Sequence, residues 1–177
     1  MKVTETKLKG CFLIEPDIYK DKRGFFMETF QKENFDNLVG SGFNFVQDNH
    51  SRSSYGVLRG LHFQIKKPQG KLVRVSRGKV FDVAVDLRKN SPTYGEWIGE
   101  ILSEENNKQL WVPPGFAHGF LVLSENADFL YKCSTYYDPN DEGSIIWNDE
   151  SIGIDWPIKD PVISEKDLQA KSLAFYE

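Results

Sequence analysis

The chain has 177 residues, 40% of them hydrophobic and 27% charged, with a formal net charge of −4. That length suits one domain with a substantial apolar core, and the composition excludes disordered and fibrous classes. The acidic balance argues against a general nucleic-acid binder, because neutralising phosphates demands a basic surplus.

Period-2 alternation and turn residues recur from about residue 12 to 135, which predicts a series of strands and few helices. A short helix is expected over 32–39, stopped by Gly40. The densest polar cluster follows, Gln47-Asp48-Asn49-His50-Ser51-Arg52-Ser53, then Leu58-Arg59-Gly60-Leu61-His62-Phe63-Gln64. Two strands joined by a turn at 54–56 would lie side by side, with Gln47, Asn49 and Ser51 on one face of the first. In the second, alternation sets Arg59 and Leu61 opposite His62 and Gln64. Whether His50 and His62 share a face depends on register, which the spacing leaves open.

Further strands are expected at 71–76, 80–87, 96–102, 109–112, 120–123 and 129–134, broken at Arg77-Gly78, Ser91-Pro92 and Pro113-Pro114-Gly115. Within 80–87 the residues Phe81, Val83, Val85 and Leu87 share one face, leaving Asp82 and Asp86 on the other, which should look into something polar. Asp138 and Asp141 read as solvated turn residues. Near the end, Ser164-Glu165-Lys166-Asp167 has the form of a capping box opening a small helix. The aromatic fraction of 14% fits a β-rich core, and closing or doubling the sheet would protect its edges.

Cys11 and Cys133 form no CxxC pair and read as buried thiols. His50, His62 and His118 make a metal triad arithmetically possible, but no HxH pair or nearby Glu completes a ligand set. The charged first ten residues lack the apolar stretch of about 7–15 residues that a secretory signal needs, so a cytoplasmic location is expected.

The block Arg59 to Gln64, with Gln47-Asp48-Asn49 before it and Gln69-Gly70-Lys71 after, resembles the dTDP-4-dehydrorhamnose 3,5-epimerase family. The resemblance extends through Asp21-Lys22-Arg23-Gly24-Phe25-Phe26-Met27-Glu28, Val112 to Phe120, Tyr131-Lys132, Trp147-Asn148-Asp149 and Ser164 to Asp167, in order over nearly the whole chain. It implies a mainly β fold, an antiparallel cupin-type jelly-roll barrel with a few short helices, as one domain over residues 1–177. It also implies a homodimer, with an N-terminal arm of about residues 1–30 reaching the partner's site. No metal or organic cofactor is expected, nor any nucleic-acid or membrane partner.

The implied substrate is a dTDP-linked 4-keto-6-deoxyhexose inverted at C3 and C5, the carbons flanking the ketone, as in dTDP-L-rhamnose biosynthesis. Carried over by position, His62 is the base, Asp167 holds its imidazole, Tyr131 is the proton donor on the opposite face, and Lys71 lies near the ketone oxygen. Taken without the family, Asp167 is a helix-capping residue and Lys71 a solvated lysine; for Asp167 both roles can coexist. Arg23, Arg59, Lys166 and Gln47, Asp48 and Asn49 match substrate-binding positions, as do Glu28, His118 and Glu142. Phe26 and Tyr137 are candidates to stack on the thymine. The rivals are an epimerase or ketoisomerase of another dTDP- or GDP-linked 4-keto sugar, a non-catalytic sugar-binding barrel and a metal-dependent oxygenase.

Overall fold

The computed structural model describes residues 1–176. Thirteen strands dominate it: β1 (Lys2–Glu5), β2 (Phe12–Glu15), β3 (Ile18–Asp21), β4 (Gly24–Met27), β5 (Gln47–Ser54), β6 (Leu58–Gln64), β7 (Lys71–Arg77), β8 (Lys79–Asp86), β9 (Trp97–Ser103), β10 (Gln109–Val112), β11 (Phe116–Val122), β12 (Asn126–Cys133) and β13 (Glu142–Ser144). Two short helices, α1 (Lys32–Leu38) and α2 (Glu165–Leu168), and a closing 3-10 turn at Leu173–Tyr176 complete it.

Strands β1-β2-β10-β7-β12-β5 form a six-stranded sheet and β13-β6-β11-β8-β9 a five-stranded one, while β3 and β4 pair as a separate hairpin. From β5 to β8 the chain changes sheet at every step, and again from β9 to β13, which is the crossing pattern of a jelly roll. The expected architecture therefore holds, although the sheets keep separate edges and do not merge into one continuous barrel.

One expected pairing does not form. β5 pairs with β12, and β6 pairs with β11 and β13, so the segments on either side of the 54–56 turn lie in opposite sheets. The turn is a corner between sheets: the Gly56 N–H, at φ +79°, donates to Val122 O, and the Tyr55 N–H to Glu125 O, so the backbone groups a hairpin would satisfy find partners near the β11–β12 connection. β11 is longer than the alternation predicts because all seven of its residues are buried, which removes the polar half of the period. The strand expected at 80–87 closes at Asp86, and β1 to β4 and β13 are elements the pattern did not resolve.

Three apolar layers follow from this double burial. Between the sheets pack Val73, Val75, Val80, Ala84, Leu102, Leu110, Phe120 and Phe129. Ile145, Ile152, Trp156 and Leu173 cover the outer face of the five-stranded sheet, against Val83 and Val85. On the six-stranded sheet, α1 seats Phe35 edge-on against Trp111, with ring centroids 5.2 Å apart. Both cysteines are buried, as expected, and burial pushes the Cys11 thiol up to about 12.

Candidate active site

Between the two sheets, beyond Phe120 and Phe129, the interior opens into a cavity of about 500 Å³. His62, Lys71, Tyr131 and Asp167 all line it, with Arg59, His118 and Lys166. A second hollow of about 270 Å³ shares His62, Lys71 and Tyr131 and adds Gln47, Asn49, Gln69, Tyr137 and Glu142. The four proposed catalytic residues thus meet where substrate-sized space exists, and three of them sit where the two hollows join.

His62 projects from β6 with its Nε2 2.7 Å from Asp167 Oδ1. Asp167 is buried in the first turn of α2, where its N–H donates to the Ser164 hydroxyl at 3.2 Å. The capping box is therefore half made: the N3 carboxylate turns to His62 instead of returning to the N-cap backbone. Burial pushes the Asp167 carboxyl up, but the His62 hydrogen bond and charge outweigh it and hold the group below the usual carboxylate range. An anionic Asp167 accepting from Nε2 orients the ring and leaves Nδ1 as its other functional atom.

Arg59 and His62, three residues apart, both reach the cavity, contrary to strict alternation. The β6–β11 register shifts between the His118↔His62 and Phe120↔Arg59 pairs, and this bulge adds the residue that turns both side chains inward. Gly60 makes it possible: its φ is +125°, and a Cβ there would stand 2.5 Å from Gly119 Cα. Arg59 Nε donates to the Ser53 hydroxyl at 3.0 Å, so a buried serine of the opposite sheet steers the guanidinium.

Tyr131 belongs to β12 and Lys71 to β7, both in the six-stranded sheet facing His62. Burial raises the Tyr131 phenol above its ordinary value. Burial also lowers the Lys71 ammonium, against the opposing pull of Cys133, Asp82 and Glu142, so this lysine is not the solvated one its residue type suggests. At the mouth, Tyr137 Oη donates to Glu142 Oε2 at 2.8 Å and Lys166 Nζ to the same oxygen at 2.5 Å. Burial pushes Glu142 up, yet those two bonds keep it below the usual range.

Asp141, expected to be solvated, is 5% exposed and accepts from the N–H groups of Lys66 and Lys67 at 2.8 Å each. With Gln64 donating to Lys67 O and Tyr136 O, it ties the 65–68 loop to the segment carrying Tyr137. Spacing could not reveal this, because an Asp in a turn looks the same whether its carboxylate faces water or a neighbouring loop. Asp82 and Ser53 are further site-forming residues without a sequence motif; the alternating acids of 80–87 were the signal for the first. Asp82 faces the interior, as an acid-bearing face should, whereas Asp86 closes the strand on Arg88, Ser91 and Thr93.

Other expected residues stand apart from the cavity. Asp48 lies on the outer face, bonded to Lys132 Nζ at 3.0 Å. His50 faces outward too, near Asp128, so it does not share the His62 face. Arg23 and Phe26 lie on the β3–β4 hairpin, Arg23 held by Asp21 and Phe26 69% exposed, and Glu28 accepts from Asn34 at 3.3 Å. Among the described residues, no three His, Cys, Asp or Glu side chains converge in a metal-binding group.

A family model described as dTDP-4-dehydrorhamnose 3,5-epimerase matches residues 5–174. The dTDP-4-dehydrorhamnose 3,5-epimerase of Pseudomonas aeruginosa is 55% identical over 175 residues, covering 98% of this chain and 97% of that protein. The crystal structure of the Legionella pneumophila dTDP-6-deoxy-D-glucose-3,5-epimerase in complex with dTDP-4-keto-L-rhamnose superimposes with a TM-score of 0.97 at 52% identity, covering 99% of this chain and 94% of that one. A 3'-monoepimerase from Streptomyces bikiniensis in complex with dTDP-quinovose is 36% identical with a TM-score of 0.90, over 96% of this chain and 86% of its own. Fold, length and sequence agree across these matches, and the chain belongs to the dTDP-4-dehydrorhamnose 3,5-epimerase family.

Proposed function

We propose that the chain is a dTDP-4-dehydrorhamnose 3,5-epimerase, converting dTDP-4-dehydro-6-deoxy-D-glucose to dTDP-4-dehydro-L-rhamnose. The observation that carries the mechanism is that His62 and Tyr131 face one cavity from opposite sheets. Inversion beside a ketone needs a base on one side of the sugar ring and an acid on the other, because a base that returns its own proton changes nothing.

In this mechanism His62 takes the proton from the carbon next to the ketone, and the C–H electron pair moves through the new C=C bond onto the ketone oxygen. Lys71 stabilises the enolate oxygen with its ammonium. Asp167 steadies the imidazolium that forms. The enolate collapses back to the ketone as Tyr131 delivers its phenolic proton to the opposite face; His62 then loses its proton to solvent and Tyr131 regains one. The same cycle serves the second carbon.

Arg59 and Lys166 suit a diphosphate, the first through its planar fork. Gln47, Asn49, Tyr137, Glu142 and His118 provide the remaining contacts along the two hollows. Arg23, Phe26 and Glu28 act in the cavity of a second copy, which accounts for the exposed aromatic hairpin. Asp48 contributes through its place between Gln47 and Asn49. We place this one-domain enzyme in the cytoplasm, acting without a metal or organic cofactor, so turnover should survive extensive treatment with EDTA.

The test is incubation with dTDP-4-keto-6-deoxyglucose in deuterated water. Deuterium at both C3 and C5 of an inverted product is expected, and no incorporation refutes the assignment. Incorporation and inversion at one centre only would instead favour the chemistry of the 3'-monoepimerase, which shares this fold.

A further inference from the structure

The interior holds a second imidazole–carboxylate pair beside the first. His118 on β11 is the cross-strand partner of His62, and its Nε2 lies 3.1 and 3.0 Å from the two oxygens of Asp82 on β8. Asp82 is fully buried and His118 is 6% exposed, stacked on Phe129 with ring centroids 6.0 Å apart. Burying a carboxylate in this apolar layer is costly unless it is firmly bonded, and His118 is its hydrogen-bonding partner among the described residues.

A carboxylate can only accept, so it draws the ring proton to Nε2. That leaves His118 Nδ1 with no protein partner among the described residues, on a side chain that lines the larger cavity. In the neutral ring a bare Nδ1 is an acceptor, and it can bond only a ligand group that donates. Diphosphate and ketone oxygens do not donate; hexose hydroxyls do.

We propose that Asp82 is a positioning residue that fixes the His118 tautomer so that Nδ1 accepts a hydrogen bond from a hydroxyl of the bound hexose. This rests on the epimerase assignment for the identity of the ligand, and on geometry alone for the tautomer. Asp82 thereby does for substrate orientation what Asp167 does for the base, and the two histidines occupy neighbouring strands of one sheet.

The experiment combines nitrogen-15 NMR of histidine-labelled protein with kinetics of Asp82→Leu, His118→Gln and the double variant. The chain has three histidines, so the signals lost in His118→Gln assign His118. With the pH raised until the ring is neutral, the wild type should show a protonated Nε2 and a bare Nδ1, and Asp82→Leu should lose that pattern. A His118 protonated on Nδ1, or one unchanged by Asp82→Leu, overturns the proposal. Gln at 118 keeps an amide near Asp82 while removing the Nδ1 acceptor, so this variant tests the contact even if Asp82→Leu fails to fold. Both single variants should lower kcat/KM for the keto-sugar nucleotide about tenfold or more, the double variant no further than the worse single one. Affinity for dTDP, which has no hexose, should stay within about threefold, a split that general damage to the fold would not produce. Wild-type turnover in either single variant, or multiplicative losses in the double, refutes the coupling. A wild type that leaves the keto-sugar unchanged refutes the epimerase assignment, and the tautomer measurement then decides for Asp82 on its own.

Discussion

His62 and Tyr131 do different jobs in the proposed chemistry, and single substitutions separate them. His62→Ala should abolish both solvent exchange and inversion, because no enolate forms without the base. Tyr131→Phe keeps the ring packed on Phe129 but removes the hydroxyl, so it should exchange deuterium while returning largely uninverted sugar. NMR of the recovered sugar checks both, and normal inversion by Tyr131→Phe would move the acid elsewhere. In the proposed chemistry Lys71 should set the alkaline limit. Burial lowers its ammonium below the ordinary 10.5, so it loses its charge, and the enzyme its activity, as pH rises through that depressed value. Tyr131, raised by burial, keeps its proton over the same interval and so does not impose this limb. Lys71→Arg, whose guanidinium stays charged, should shift the alkaline limb of the kcat profile upward even if the maximum rate falls. The histidine and arginine took their roles from one recognisable block, Arg59 to Gln64, since a lone strand histidine is by itself more often structural. Of their partners, Asp167 was named by the resemblance alone, since it pairs with His62 across 105 positions of sequence, and Ser53, which steers Arg59 from the other sheet, was not foreseen.

The bulge in β6 is the element on which the site depends. Gly60→Ala would force a side chain into a left-handed conformation and against Gly119 Cα, so it should cost on the order of 3 kcal/mol or more, read as a lower Tm. It should also lose activity beyond its loss of folded protein, because Arg59 and His62 could no longer both face inward. Strands with a polar half, such as β7 and β8, were legible from period 2. β11 was read as 120–123 because burial on both faces erases the alternation, and the 54–56 turn was read as a hairpin because a corner between sheets uses the same turn residues. The small C-terminal helix was legible from its cap, whereas the destination of the Asp167 carboxylate came from the family resemblance and not from the cap.

Across the molecule, the cavity gathers His62, Lys71, Tyr131 and Asp167 while Arg23, Phe26 and Glu28 lie outside it. If they serve a second copy, the protein should behave as a dimer by light scattering. Arg23→Ala should then weaken dTDP binding while leaving His62-dependent exchange at saturating substrate largely intact. A fully active monomer would refute the arrangement. The β-rich class, the residue types able to move a proton beside a ketone and the family were all legible in the chain, because alternation, turn chemistry and ordered motifs are local properties. Which face each residue takes emerged in the folded chain: Asp48 and His50 point outward, Arg59 joins His62, Asp141 ties two loops and Asp82 pairs with His118. A strand offers two faces, and register, bulges and sheet crossings choose between them through contacts with residues distant in sequence.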